Sequence, residues 1–416
     1  MINKIKKIIS TKDGRAIAEN LISLSALQLV GIILPLITLP YVLRVIGFEN
    51  YGVIVLSASL ITYFQSLTDF SFRITATRDV AINRDNRNKL SEIYSKVISV
   101  KIIFLIISYI VIFFLINFVP KFETNKTVYY LSSLMLFGYA LFPEWFFQGV
   151  EKMKYITILN IGVKVFFTIM IFVFIRSEED YWKYPLLQAL GFIGAGVIGQ
   201  FVLVKKYNLK FKFISLIGLF TTIKENTPIF INQFIPTLYN NSSVFILGLL
   251  TNNTLVGIYN AILVVINLII TILEIFSRVF FPFLNRRKDK FPDYLRMTLT
   301  ITILMLIVIL LLNKLVFWYL NVNYDNSFYI LLILSIGVIG YSMYNVFGTN
   351  YFLVHRKDKI VMWNTIFSSI VGVLIVYPLI HFFGILGAAI NLTFCRLLMG
   401  GGLFIKYLRI QKSETI

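Results

Sequence analysis

Twelve apolar stretches divide this chain, and they constrain its fold more than any other feature of the sequence. A helix of about 20 residues spans the roughly 30 Å hydrocarbon core of a bilayer, and it satisfies its own backbone hydrogen bonds there. Because 58% of the 416 residues are hydrophobic and 14% are charged, a water-exposed fold could not bury the apolar surface. The sequence therefore predicts an all-α integral membrane protein with twelve transmembrane helices, near residues 20–43, 52–76, 98–119, 128–150, 156–176, 185–204, 226–250, 258–284, 297–320, 328–353, 360–383 and 385–408.

Basic residues are concentrated on alternate connections between these stretches. If the N-terminus is cytoplasmic, the inner segments carry 28 of the 39 Lys and Arg residues, and the outer connections carry 6. The positive-inside rule then predicts that both termini are cytoplasmic. The net charge of +19 follows from this topology and from contact with anionic lipid headgroups, rather than from nucleic-acid binding. The basic start, residues 1–9, is expected to be an interfacial segment rather than a removed signal peptide.

Self-comparison at an offset near 205 residues indicates an internal repeat. The stretch 47–53 aligns with 251–258, which places Gly52 on Gly257. A separate match places Tyr139, after Gly138, on Tyr341, after Gly340. Because each repeat has six helices, an even number, both halves begin on the cytoplasmic side of the membrane. The two six-helix lobes should therefore be related by a pseudo-two-fold axis along the membrane normal, an arrangement typical of transporters. The predicted domains are an N-terminal lobe with its interfacial segment, a cytoplasmic linker between the lobes, and a C-terminal lobe, at residues 1–204, 205–225 and 226–416.

Two acid–arginine pairs lie inside predicted spans at equivalent positions of the repeat. Asp69 precedes Arg73 by four residues, and Glu274 precedes Arg278 by the same spacing, which places each pair on one helical face. Charges in hydrocarbon are costly, so these residues should face water or a partner. One interpretation is a basic mouth that receives an anionic group. The alternative is a pair of internal salt bridges whose arginines extend to the headgroups.

Further charges lie within or beside the spans. Lys164 and Arg396 fall near mid-depth, which favours a position facing the lumen, whereas Lys101 is expected to contact headgroups. Arg44, at the outer end of the first span, is a candidate for a residue that guards the outer exit of the transport path. Basic residues outnumber acidic ones inside the spans, and arginine can bind phosphate oxygens bidentately, so an anionic cargo is favoured over organic cations.

Polar residues in the spans supply candidates for sugar binding and for ion coupling. Asn232 and Gln233 in the seventh span could bind sugar hydroxyls, although membrane amides also join helices. Asp69, Glu144 and Glu274 are candidates for ion coupling or charge balance, and Glu144 could instead be neutralised by Lys164.

The sequence offers little support for an enzyme. It has no nucleophile elbow or phosphate loop, its two histidines lie on opposite predicted sides, and its only cysteine is Cys395, so we expect no metal and no cofactor. The outer connections are short, which argues against a polysaccharide polymerase. A purely structural scaffold is disfavoured by the buried charges.

The stretch Phe142-Pro143-Glu144-Trp145-Phe146-Phe147-Gln148-Gly149-Val150-Glu151-Lys152-Met153-Lys154-Tyr155 closely resembles Wzx-type O-antigen flippases of the polysaccharide transporter family. The likeness continues in Leu39-Pro40-Tyr41-Val42-Leu43-Arg44-Val45-Ile46-Gly47 and near 257–261 and 384–389. The resemblance implies two six-helix lobes, similar to the multidrug and oligosaccharidyl-lipid exporter superfamily, in the bacterial inner membrane.

The cargo that the resemblance implies is an undecaprenyl-diphosphate-linked oligosaccharide, moved from the cytoplasmic to the periplasmic leaflet. A polysaccharide polymerase and a chain-length regulator would be further partners. The candidate residues above come from charge and depth, not from the family. A cation-coupled multidrug exporter of related fold remains the alternative, followed by a membrane enzyme that modifies polysaccharide.

Overall fold

A computed structural model of the chain describes the backbone of residues 12–414 and the side chains of residues 27–412. The described part is helical and contains no β-strand. The predicted interfacial segment, residues 1–9, lies outside it. The α-helices are α1 (Lys12–Asp69), α2 (Phe72–Ile82), α3 (Arg87–Phe118), α4 (Pro120–Glu123), α5 (Lys126–Leu141), α6 (Glu144–Gly149), α7 (Met153–Phe174), α8 (Lys183–Lys205), α9 (Leu216–Leu250), α10 (Asn253–Arg286), α11 (Phe291–Leu311), α12 (Asn313–Leu320), α13 (Ser327–Met343) and α14 (Asp358–Glu414). Two 3₁₀ helices (Glu178–Trp182 and Lys288–Lys290) and a π-helix (Tyr344–Leu353) complete the set.

The two longest helices each bend at a glycine. α1 has 58 residues and α14 has 57, and a straight helix of that length would measure about 85 Å, far more than the membrane core. Gly47 (φ 75°, ψ 169°) and Gly384 (φ 55°, ψ −130°) have backbone angles that L-residues with a Cβ rarely adopt. Each glycine therefore divides its helix in two, at the place where the sequence predicts the boundary between consecutive spans.

Eight helical stretches among the described residues are long and apolar enough to cross a membrane, so the chain is a multi-pass membrane protein. Two of these stretches contain two predicted spans each, at Leu27–Ile82 and Asp358–Lys412. The predicted spans 128–150 and 226–250 are not among the eight. The number of twelve crossings stays a prediction.

The prediction of one continuous helix over 128–150 is wrong. α5 ends at Leu141, and Phe142 is extended (φ −69°, ψ 114°) before Pro143. A residue that precedes proline is pushed out of the α conformation, and proline itself has no N–H to donate. The amide of Gln200 on α8 donates to the carbonyl oxygen of Leu141, which satisfies one acceptor at this helix end. As a result, Glu144 lies in the first turn of a separate short helix, α6.

The predicted span 52–76 is also interrupted. Phe70 (φ 43°) and Ser71 (φ 61°) have left-handed backbone angles, and they separate the end of α1 at Asp69 from the start of α2 at Phe72. Left-handed residues cannot continue a right-handed helix. Residues 69 and 73 are therefore not one turn apart on a single helix.

The chain forms two compact units. Unit 1 comprises the chain up to Thr38 together with Leu60–Phe234, and unit 2 comprises Leu39–Ser59 together with Ile235–Ile416. Aromatic rings from α6 dominate the core of unit 1, where Trp145, Phe146 and Phe147 are buried. The core of unit 2 is built around α11, the π-helix and α14. The predicted lobes 1–204 and 226–416 stay a prediction.

The two glycines that the repeat aligns lie in close helix contacts of unit 2. A Cβ on Gly52 would lie 1.8 Å from the carbonyl oxygen of Asn253, and a Cβ on Gly257 would lie 2.3 Å from that of Phe48. Neither position can hold a larger residue unless the backbones move apart.

Candidate functional site

Four charged residues of unit 1 form two ion pairs, but not with the partners that the sequence suggests. The Nη2 atom of Arg73 lies 3.3 Å from Oε1 of Glu144, and Nζ of Lys101 lies 2.9 Å from Oδ1 of Asp69. The predicted Asp69–Arg73 pair does not form, because the break at residues 70 and 71 removes the helical spacing on which it depends. The alternative prediction that Lys164 neutralises Glu144 is also wrong, because Glu144 pairs with Arg73.

Lys101 does not contact headgroups as expected. It is buried in unit 1, where it donates to Asp69. Its partner is 32 residues away in the sequence, so helical periodicity gives no signal for the pair.

In unit 2 the predicted acid–arginine pair is confirmed. α10 runs without a break through both positions, and the Nη2 atom of Arg278 lies 3.5 Å from Oε2 of Glu274. The hydroxyl of Tyr341, on α13, donates a second hydrogen bond to this carboxylate. The sequence singles out Tyr341 only as a match in the repeat, so its contact with Glu274 is a finding of the structure.

Arg396 is a buried cation of unit 2 without a carboxylate partner among the described residues. Its Nε and Nη1 atoms are buried and make no hydrogen bond there. Its guanidinium carbon lies 5.9 Å from the ring centre of Tyr341. The hydroxyls of Tyr239 and Tyr259 interact with it electrostatically. The close contact of α13 with α14 depends on Gly340, where a Cβ would lie 2.5 Å from the backbone of Arg396.

Tyr341 thus connects the predicted residues of unit 2. Its hydroxyl binds Glu274, which pairs with Arg278, and its ring contacts Arg396. The electrostatic attraction between a guanidinium and an aromatic face replaces only part of the hydration that a buried arginine loses. The positive charge of Arg396 therefore remains poorly compensated within this part of the protein.

Lys164 and Arg44 take no part in these pairs. Lys164 is half-buried on α7, with its ammonium so close to α1 that a Cβ on Gly31 would lie 2.7 Å from it. It forms no ion pair with a described residue. In unit 2, Nη2 of Arg44 donates to the carbonyl oxygen of Tyr319 at 3.3 Å, which caps the last turn of α12.

The polar residues of α9 divide into two groups. Asn232 and Gln233 have exposed side chains in unit 1. In unit 2, the amide of Asn241 donates to the carbonyl oxygen of Ser59 at 2.6 Å, and Asn391 donates to Ser243 at 3.0 Å. Asn241 and Ser243 therefore join helices, which is a common role of polar groups in membrane proteins.

These features define a polytopic helical protein with the fold of a membrane transporter. The inward closed structure of the lipid II flippase MurJ is similar over 93% of this chain and 86% of its own, with a TM-score of 0.67 and 13% identity. An inward-facing multidrug resistance MATE family transporter of the MOP superfamily covers 92% of this chain and 96% of its own, with a TM-score of 0.65 and 12% identity.

The sequence comparisons identify the family. Residues 17–288 match the family described as "Polysaccharide biosynthesis protein", and the chain belongs to this family. Two curated relatives share the name "Putative O-antigen transporter". The protein of Escherichia coli (strain K12) is 27% identical over 386 residues, which cover 91% of this chain and 93% of the relative. The protein of Shigella dysenteriae is 22% identical over 391 residues, which cover 92% and 97%. The resemblance to polysaccharide transporters is confirmed.

Proposed function

We propose that this protein is a flippase that moves polyprenyl-diphosphate-linked O-antigen or similar oligosaccharide units from the cytoplasmic to the periplasmic leaflet by alternating access. The family, the length over which the two O-antigen transporters match, and the likeness to the lipid II flippase support this proposal. A diphosphate headgroup cannot cross hydrocarbon unaided, because the loss of its hydration is too costly.

The observation that carries the proposal is the poorly compensated charge of Arg396. A buried cation without a carboxylate partner lowers stability, and such a cost is commonly retained where the charge acts on a ligand. Phosphate oxygens match the donor geometry of a guanidinium. Arg396 therefore fits an anionic cargo, as do the exposed guanidinium groups of Arg73 and Arg278.

In the proposed arrangement, the basic residues bind the diphosphate along the transport path and polar side chains contact the sugars. The cationic candidates are Arg73, Lys164, Arg278, Arg396 and Arg44. Asn232 and Gln233, whose side chains are exposed, would contact sugar hydroxyls. Asp69, Glu144 and Glu274 would balance charge or couple transport to an ion.

The proposal includes the topology and the location. Twelve crossings would arrange the chain as two six-helix lobes in the bacterial inner membrane, with both termini and the linker 205–225 in the cytoplasm. The chain would act by transport rather than catalysis, beside a polysaccharide polymerase and a chain-length regulator.

A cation-coupled multidrug exporter is the second candidate, because the MATE transporter has a similar fold. An exporter of organic cations needs a carboxylate that is available to its cargo. Here Asp69 pairs with Lys101, Glu144 with Arg73, and Glu274 with Arg278. Arg396, by contrast, has no carboxylate partner among the described residues, and this asymmetry favours the anionic cargo over the cationic one.

Deletion of the gene in its native host tests the proposal. We expect lipid-linked repeat units to accumulate in the cytoplasmic leaflet, measured by extraction and mass spectrometry, and surface polysaccharide to be lost. A plasmid copy should restore both. An unchanged polysaccharide profile, together with higher sensitivity to organic cations, would contradict the flippase and support the drug exporter.

A further inference from the structure

The segment between α8 and α9, continued into the first turns of α9, exposes large apolar side chains. Phe213 is 98% exposed and Leu216 is 84% exposed, and Ile217 and Phe220 are exposed on the same helical face. Because side chains of this size are rarely left in water as a contiguous patch, the patch indicates an interaction surface.

The opposite side of the segment is fixed to unit 1. The backbone N–H groups of Lys210 and Lys212 donate to the hydroxyls of Ser91 (3.2 Å) and Ser95 (2.8 Å), one turn apart on α3. Leu209 is buried in the core of the same unit. These contacts hold residues 209–212 against α3, so the segment has one fixed inner side and one outer side.

Exposed lysines flank the exposed apolar residues in the sequence. The segment 205–225 contains Lys205, Lys206, Lys210, Lys212 and Lys224, and its only acid is Glu225. Apolar residues beside lysines are typical of segments that lie in the boundary between acyl chains and headgroups. A second copy of this chain would bring like charges together, so the charge favours an anionic partner.

The predicted span 226–250 and the length of α9 together place this surface beside the bilayer. The helix has 35 residues and would measure about 50 Å, whereas the membrane core is about 30 Å thick. Its first turns therefore extend beyond the predicted span 226–250 into the headgroup region. The positive-inside pattern assigns this region to the cytoplasmic leaflet.

We propose that residues 206–224 form an interfacial anchor that binds the surface of an anionic lipid bilayer. In this anchor, Phe213, Leu216 and Phe220 enter the acyl boundary, and the ammonium groups of Lys210 and Lys212 bind headgroup phosphates. The anchor is independent of the cargo that the protein moves.

A fluorophore attached at residue 213 tests the anchor. Cys395 is the only cysteine and is buried, so Phe213→Cys gives a single accessible site for bimane. The purified full-length protein is reconstituted in nanodiscs of phosphatidylcholine with or without phosphatidylglycerol, each with nitroxide-labelled lipid. Asp85→Cys is the matched control, because Asp85 lies on another predicted cytoplasmic segment with its side chain 96% exposed.

With phosphatidylglycerol, we expect the probe at residue 213 to shift its emission to shorter wavelength and to be quenched by shallow nitroxides several-fold more than the probe at residue 85. Lys210→Gln with Lys212→Gln should reduce this quenching, whereas Lys357→Gln with Lys359→Gln, which removes the same charge elsewhere, should not. Equal quenching at residues 213 and 85 would overturn the anchor. Burial at residue 213 that appears only in native membranes would overturn it as well, in favour of a protein partner.

Discussion

At the scale of single residues, Arg396 and Lys101 are buried cations in different situations. Lys101 has Asp69 at 2.9 Å, whereas Arg396 has no carboxylate partner among the described residues. Replacing a buried ion pair with apolar groups of similar size is often neutral or stabilises a protein by about 1–4 kcal/mol, whereas removing one partner of the pair destabilises it by about 3–5 kcal/mol. A buried cation without a counter-charge has no such attraction to lose, so replacing it with an apolar group removes a desolvation cost. We therefore expect Arg396→Met to raise the melting temperature in detergent and to abolish export.

Lys101→Met is the matched variant, because it removes a buried cation that has a partner. It should lower the melting temperature, since it leaves Asp69 unpaired, although the partial exposure of Asp69 reduces the loss below the figure for a fully buried pair. A fall in stability for Arg396→Met, or full export by that variant, would contradict the proposed ligand role of Arg396.

The sequence identifies which residues carry charge in the spans but not which atoms meet. The i, i+4 rule succeeds for Glu274 and Arg278, because α10 is continuous there. It fails for Asp69, because two left-handed residues follow it and Lys101, distant in the sequence, lies closer. Such tertiary contacts depend on packing between helices, and no local pattern encodes them.

At the scale of helices, the bends in α1 and α14 depend on glycine. No other atom comes within 4 Å of a Cβ built on Gly384, so a substitution there tests backbone angles alone. We expect Gly384→Ala to destabilise the protein by about 1–3 kcal/mol, because φ 55° with ψ −130° is accessible essentially only to glycine. Thermal unfolding in detergent measures the effect.

Gly401→Ala, in the same helix, is the control. Its Cβ also meets nothing within 4 Å, and without a positive φ it should be neutral or stabilising by up to about 1 kcal/mol. A Gly384→Ala variant as stable as Gly401→Ala would show that the bend does not require glycine.

The sequence predicted the span boundaries at which the two longest helices bend, but it did not predict all interruptions. Gly47 and Gly384 lie at apparent span boundaries, where a change of direction is required. The breaks at Ser71 and Pro143 lie within apolar stretches, and hydropathy alone predicts one continuous helix for each of these stretches. Pro143 was a local indication of the break between α5 and α6. Phe70 and Ser71, neither of which is glycine, gave no indication of the break between α1 and α2.

At the scale of the whole molecule, Arg73 and Arg278 offer one exposed guanidinium in each unit. Their side chains are 65% and 63% exposed, and each pairs with a glutamate. Their glutamate partners are 30% and 33% exposed, and pairs this accessible to water contribute about 1 kcal/mol or less each to stability. Arg73→Gln combined with Arg278→Gln should therefore not lower the amount of protein in the membrane. The variant leaves two glutamates without their cations, and these should repel a diphosphate, so we expect export of the lipid-linked oligosaccharide to fall.

Arg78→Gln combined with Arg287→Gln controls for the loss of charge. These arginines are 65% and 58% exposed, each pairs with a neighbouring aspartate, and one lies in each unit. They belong to predicted cytoplasmic segments outside the spans, where a charge cannot act on a headgroup that is crossing the membrane, so this variant should export normally. Full export by the Arg73 and Arg278 variant would support arginines that extend to lipid headgroups, whereas equal losses in both variants would indicate a general effect of charge on membrane contact.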